Sequence, residues 1–312
     1  MKYLIVLLDD TSVSYCHYQN TRNERKLISL DDLKAGIMFA MKQNMMPQFV
    51  YPYYELPQSY KDLINTVDHS NIVPHGYCIA GDVYVVDGLK DCLIDSVNID
   101  SNYALCVSKS ELFDNANLIK DLIGKVARLN IVLRDIESFT SDDYDKYKIV
   151  LKILGKEIMR LYGLGMAPQL NLMTDRIYLS SMNNCDAGWN NITLAPDGCF
   201  YVCPAFYLNN GKSIGNVRNG IDIKNPQLYR AKYAPICRIC DAFQCNRCIW
   251  LNQKLTLEVN TPSHQQCVVS HLERNASREL LNGIRECVGQ FRPNFNIEEI
   301  DYLDPIDQII LR

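Results

Sequence analysis

Apolar positions over 1–180 fall into two alternating periods. Tyr3–Leu8 (YLIVLL) is a continuous apolar run of strand length, the pattern of a strand covered on both faces. Phe49–Tyr51, Asp82–Val86 (DVYVV), Tyr103–Val107 (YALCV) and Leu129–Leu133 (LNIVL) repeat it, and a last strand is expected within 167–179. Helical spacing lies between and after them. Ser29 with Asp32 marks a helix start, followed by Leu33, Ile37, Met38 and Met41. A second helical pattern covers 114–126. A third, opened by Thr140 with Asp143, lines up Val150, Leu154, Ile158 and Leu161 over 141–163 and stops at Gly163 and Gly165. Strands alternating with helices of this length predict βαβ units and a mostly parallel sheet, open or partly closed into a barrel. The fold class is α/β.

Composition sets limits on this picture. The 312 residues suffice for two modules, and 47% apolar and 22% charged residues without low-complexity tracts exclude a mainly disordered chain. A net charge of −4 gives no electrostatic case for nucleic acid or an anionic membrane. The first apolar run is too short for a signal-peptide core, and no stretch approaches a membrane span. A cytoplasmic protein is expected. Thirteen cysteines then stand out. Reduced thiols point to metal or redox chemistry rather than disulfides. Eight of them lie between Cys185 and Cys267, so a boundary is placed near residue 180. The expected organisation is an α/β partial barrel over 1–180, a cysteine-rich metal domain over 181–275, and a C-terminal part over 276–312. A helix is expected at 268–289 and an acidic, proline-containing tail at 290–312.

The spacing of the cysteines carries the chemistry. Cys185, Gly198 and Cys203 come first; after a long gap Cys237, Cys240, Cys245 and Cys248 follow as CxxCxxxxCxxC, and Cys267 closes the series. Thiolates are soft ligands suited to zinc or iron–sulfur clusters. One tetrahedral zinc uses four cysteines and leaves at least three of these unexplained, so two sites are expected. Gly198, in Pro196–Asp197–Gly198, suits a tight turn with positive φ before Cys203.

The segments CDAGWNNITLAPDGCFYVCPAFY (185–207), CRICDAFQCNRC (237–248) and HQQC (264–267) resemble the SPASM domain, the C-terminal module of radical SAM enzymes that mature ribosomally made peptides and sulfatases. The intervals Cys240–Cys245 and Cys245–Cys248 are each one residue shorter than in that pattern. The resemblance implies up to two auxiliary 4Fe–4S clusters, one on Cys185, Cys203 and Cys248, the other on Cys237, Cys240, Cys245 and Cys267. The fourth ligand of the first stays open between a substrate group, water and Cys199. Toward the N-terminus the likeness breaks. Radical SAM enzymes carry CxxxCxxC after the first strand; here Asp9 and Val13 stand at two of the three places and only Cys16 remains. After the second strand YPYYELPQSY replaces a GGEP-like segment. One cysteine cannot hold a cubane. The segment 1–180 therefore resembles a degenerate radical SAM core without its catalytic cluster, S-adenosylmethionine is not expected as a cofactor, and Cys16 reads as a small buried residue. The combination resembles the CXXX repeat peptide maturases.

Three readings follow. In the first, the chain is a maturation factor for a ribosomally synthesised Cys-repeat peptide: its SPASM-like module holds clusters and docks the precursor, while a radical SAM enzyme or another maturation protein is its partner. In the second, an auxiliary cluster with an open iron makes the chain an enzyme in its own right. In the third, zinc stabilises an α/β interaction module without redox chemistry. No catalytic residue is assigned. Gly211–Lys212–Ser213 reads as an exposed turn, His264 as a helix-start or surface residue, and His17, His69, His75 and His271 form no zinc-triad spacing.

Overall fold

A computed structural model describes residues 1–77, 79–89, 97–179, 181–182, 184–245 and 248–288. The tail expected at 290–312 lies outside the described residues, as do Cys78 and Cys92. Among the described residues the strands of the main sheet are, in chain order, β1 (Tyr3–Leu7), β2 (Met46–Val50), β3 (Ser70–Pro74), β4 (Val83–Asp87), β5 (Asn102–Val107), β6 (Arg128–Leu133), β7 (Gln169–Leu170), β8 (Asn191–Leu194) and β9 (Phe200–Tyr201). They form one nine-stranded sheet in the order β7-β6-β5-β4-β3-β2-β1-β8-β9. The α/β class with a mostly parallel sheet is as expected.

By packing, the chain divides into two compact units, Met1–Val85 with Cys185–Arg230, and Val86–Asn184 with Ala231 onward. In the first unit β1 lies between β2 and β8, parallel to both, with Val6 opposite Phe49 on one side and Leu194 on the other. Leu4 and Val6 are fully enclosed, which is why this strand carries no charged residue. β8 turns back antiparallel into β9. Helix α1 (Leu30–Lys42) starts where Ser29 accepts from the Asp32 amide at 3.1 Å, and it buries Leu33, Ile37 and Ala40. Two elements appear that the apolar pattern did not announce, α2 (Gln58–Ile64) and β3. Gly198 has φ +75°, the left-handed turn expected before Cys203.

In the second unit β5, β6 and β7 are parallel neighbours. The helix expected at 114–126 is α4 (Ala116–Ile123), and ahead of it, across Asn115, stands α3 (Lys109–Asp114), which the apolar pattern did not announce. A capping box at Ser108 and Glu111 starts α3. Helix α5 (Ser141–Gly163) has the bounds read from the sequence and opens on the Thr140–Asp143 capping box. The remaining helices are α6 (Thr174–Tyr178), α7 (Pro204–Leu208, in the first unit), α8 (Ile249–Thr256) and α9 (His264–Val288). α5 packs along α9; a Cβ at Gly283 would sit 2.1 Å from Met159 Sδ, so the helices meet on bare backbone there. Beneath this contact Arg176 Nη2 and Tyr147 Oη donate to the two carboxylate oxygens of Glu273, at 2.7 and 2.6 Å, all three buried. No helix among the described residues is long and apolar enough to cross a membrane.

Candidate metal centre

The seven cysteines expected as ligands all fall in described residues, distributed over the two units. Cys185 and Cys203 belong to the first; Cys237, Cys240, Cys245, Cys248 and Cys267 belong to the second.

In the first unit Cys185 is exposed and precedes a turn with positive φ at Asp186 and Gly188. The Asn191 side-chain amide donates to its carbonyl, tying it to the start of β8. Cys203 is the extended residue before α7, with Pro204 in the first helical turn, a position where the missing N–H costs nothing. Cys199 donates its amide to Asp197 Oδ1 at 3.0 Å in the turn closed by Gly198. Cys16, read from sequence as buried, is half-buried. Burial pushes the Tyr15 phenol up, and Cys16, Cys203 and Cys185 push it the same way, so a thiol from the loop after β1 shares a neighbourhood with two from the cysteine-rich segment. Spacing along the chain carries no signal of that meeting.

The rest of this loop is closed by its own polar groups. Asp9 is fully buried; its Oδ1 accepts from the Thr11 amide at 2.8 Å and its Oδ2 from Tyr54 Oη at 2.8 Å. Asp10 accepts from Arg22 Nη1 at 3.0 Å and from Tyr207 Oη. Asn20 Nδ2 donates to the carbonyls of Asp10 and Ser12, both at 2.8 Å. Val13 is buried. A carboxylate, a valine and one thiol do not fit a cubane that requires three thiolates, and no step is derived through such a cluster or its S-adenosylmethionine.

In the second unit Cys237 opens a single 3-10 turn, Cys237–Ile239, and Cys240 follows in extended conformation. Its amide donates to the Cys237 carbonyl at 3.2 Å, and the Ala242 amide donates to its sulfur at 3.4 Å. The turn of CRIC thus faces the helix α9. Cys267, Ser270, His271 and Arg274 recur there at i, i+3, i+4 and i+7, one face of a helix. Three of them meet the loop in sequence: Ser270 Oγ donates to Cys245 Sγ at 3.3 Å, His271 Nε2 lies 3.5 Å from Cys240 Sγ, and Arg274 pairs with Asp241. Cys248 precedes α8 and donates its amide to Gln266 Oε1 at 3.2 Å. Burial pushes the Cys240 thiol up to about 12, and the charges of Cys245, Asp241 and Cys237 add to it against the Ala242 hydrogen bond. Thiols crowded in this way ionise when a cation takes up the charge, and the donor chemistry fits a thiophilic metal. His271 and Asp241 are the members that sequence reasoning missed; the signal was the helical i to i+4 step from Cys267 to His271.

Comparison of the sequence with protein-family models and with curated proteins returns no match. Solved structures do match the fold. Native anSMEcpe with bound AdoMet superposes with a TM-score of 0.59 at 14% identity, covering 90% of this chain and 99% of that chain. The same protein with AdoMet and the Cp18Cys peptide gives 0.58 at 14% identity over 91% and 99%, and with the Kp18Cys peptide 0.59 at 14% over 91% and 99%. The chain has the fold of anSMEcpe.

Proposed function

We propose that this chain is a maturation factor for a ribosomally made, cysteine-containing peptide, with metal held in its cysteine-rich segment. The observation that carries the reading is the fold match over nearly the full length of both chains, including forms of anSMEcpe with bound peptides, together with cysteines in SPASM order. The precursor is bound as an extended segment against a sheet edge; β7 and β9, both very short, end the strand order. A radical SAM enzyme or other maturation protein supplies the radical step, since the loop after β1 holds Asp9 and Val13 in place of thiolates. Iron–sulfur clusters on the cysteine set supply electron transfer or an open iron when bound, with Cys185 and Cys203 among the ligands of the first. The zinc-stabilised module remains the alternative, and the imidazole beside Cys240 favours it at the second set, Cys237, Cys240, Cys245 and Cys267.

The test joins two measurements on anaerobically prepared protein. Iron and acid-labile sulfide are expected, lowered by Cys185→Ser and Cys203→Ser, along with saturable binding of a Cys-repeat peptide followed by fluorescence anisotropy. Zinc alone without peptide binding would move the chain to the third reading. 5′-Deoxyadenosine formation above a no-protein control would make it a radical SAM enzyme in its own right.

A further inference from the structure

The family pattern assigns a cubane to Cys237, Cys240, Cys245 and Cys267, but the side chains gathered at Cys240 suit a different centre. Cys240 Sγ, an Asp241 carboxylate oxygen and a ring nitrogen of His271 lie within 4.8 Å of one another. Cys240 Sγ and His271 Nε2 are 3.5 Å apart. Two donors of one tetrahedral ion, with metal–sulfur and metal–nitrogen bonds of about 2.3 and 2.0 Å, stand about 3.5 Å apart. In a cubane each iron takes one protein donor, so two protein donors face different corners and are held farther apart. His271 is 3% exposed and sits on the face of α9 that meets this loop. Arg274, 1% exposed, pairs with Asp241 and sets its orientation, the outer-shell support that metal-binding carboxylates require. The Cys240–Cys245 and Cys245–Cys248 intervals, each a residue short of the SPASM pattern, fall in this loop.

We propose that Cys240, Asp241 and His271 bind one divalent, zinc-type ion, with a water or substrate atom in the fourth position. Three protein donors and one exchangeable ligand make a Lewis-acidic centre able to take a thiolate of an incoming cysteine-containing peptide. The assignment rests on the metal-bearing reading of the cysteine segment given above.

Cobalt(II) reports on the site in the full-length protein after chelator treatment. Tetrahedral d–d bands with thiolate-to-cobalt charge transfer are expected in the wild type and with Cys106→Ala, a buried thiol of β5 outside both cysteine groups. Cys240→Ser should abolish the charge transfer. His271→Ala should weaken zinc retention against a competing chelator at least tenfold, and His271→Cys should restore retention while strengthening charge transfer. If His271→Ala does not fold, as read by circular dichroism, the His271→Cys spectrum decides: increased charge transfer supports the site and unchanged bands overturn it. Zinc retention equal in wild type and His271→Ala overturns it. So does a loss of about four irons with their sulfide on Cys240→Ser in protein that gives no cobalt bands. Failure of peptide binding, or of iron at Cys185 and Cys203, would leave the cobalt result standing and count only against the broader function.

Discussion

Asp143 concentrates several small effects in one carboxylate. Its Oδ2 accepts from Lys109 Nζ at 2.7 Å and from the amide and hydroxyl of Thr140, each at 2.9 Å. The Lys109 hydrogen bond, joined by Thr140, holds its acidity at about pH 2, against burial. A carboxyl whose folded value lies below the ordinary value of about 3.9 contributes stability that is complete above pH about 4 and is lost as pH falls through about 2. Asp143→Asn should cost about 1–2 kcal/mol at neutral pH, in the range of a lost helix cap with its ion pair. Urea titrations from pH 7 to 2 should show the gap to the wild type constant above pH 5 and closing below pH 4. Cysteine reactivity separates by environment at the same scale. Burial raises Cys106 to about 11, whereas Cys185 is exposed. In metal-free native protein iodoacetamide should modify Cys185 and spare Cys106, a contrast that peptide mass mapping will show.

Among elements, the contact of α5 with α9 depends on the buried Arg176–Glu273–Tyr147 cluster. Burial pushes the Glu273 carboxyl up while Arg176 opposes it. Removing one partner strands the other charge. Arg176→Met should therefore destabilise the protein by about 3–5 kcal/mol, and the double variant Arg176→Met with Glu273→Leu should recover most of that in a thermodynamic cycle. Chemical denaturation of metal-replete protein measures both. What was legible in the sequence follows from the same physics. α1 and α5 announced themselves because Ser29–Asp32 and Thr140–Asp143 are local caps. β1, β5 and β6 did so because a strand covered on both faces must be largely apolar. β3 did not, since Asn71 and Pro74 interrupt so short a run, and neither did α3, whose six residues are too few to display a helical period. Nothing along the chain marks Arg176 and Glu273; only their meeting across 97 positions makes them core. The cysteines of the site were visible by spacing, whereas His271 and Asp241 gain meaning only when α9 turns its face to the CRIC loop.

At the scale of the whole molecule, composition and packing divide the chain differently. The cysteine content changes near residue 180. The compact units instead join 185–230 to Met1–Val85, because β8 supplies the second neighbour of β1. That pairing has a consequence in time. Tyr3 is opposite Asn191, so β1, which leaves the ribosome ahead of β8, waits for β8 to be made before its sheet position is complete. At about 5–20 residues per second the wait is roughly 10–40 s. During it, one edge of an apolar strand is unpaired, the situation in which nascent chains recruit chaperones or aggregate. Ribosome-bound chains arrested with residue 185 just emerged should be cleaved readily within 1–85. Those arrested after residue 230 has emerged should be protected there, with limited proteolysis of the stalled complexes reporting the difference. The late segment is then a folding clasp: the first strand is released from its dependence on helpers by the arrival of the residues that also bring in Cys185 and Cys203.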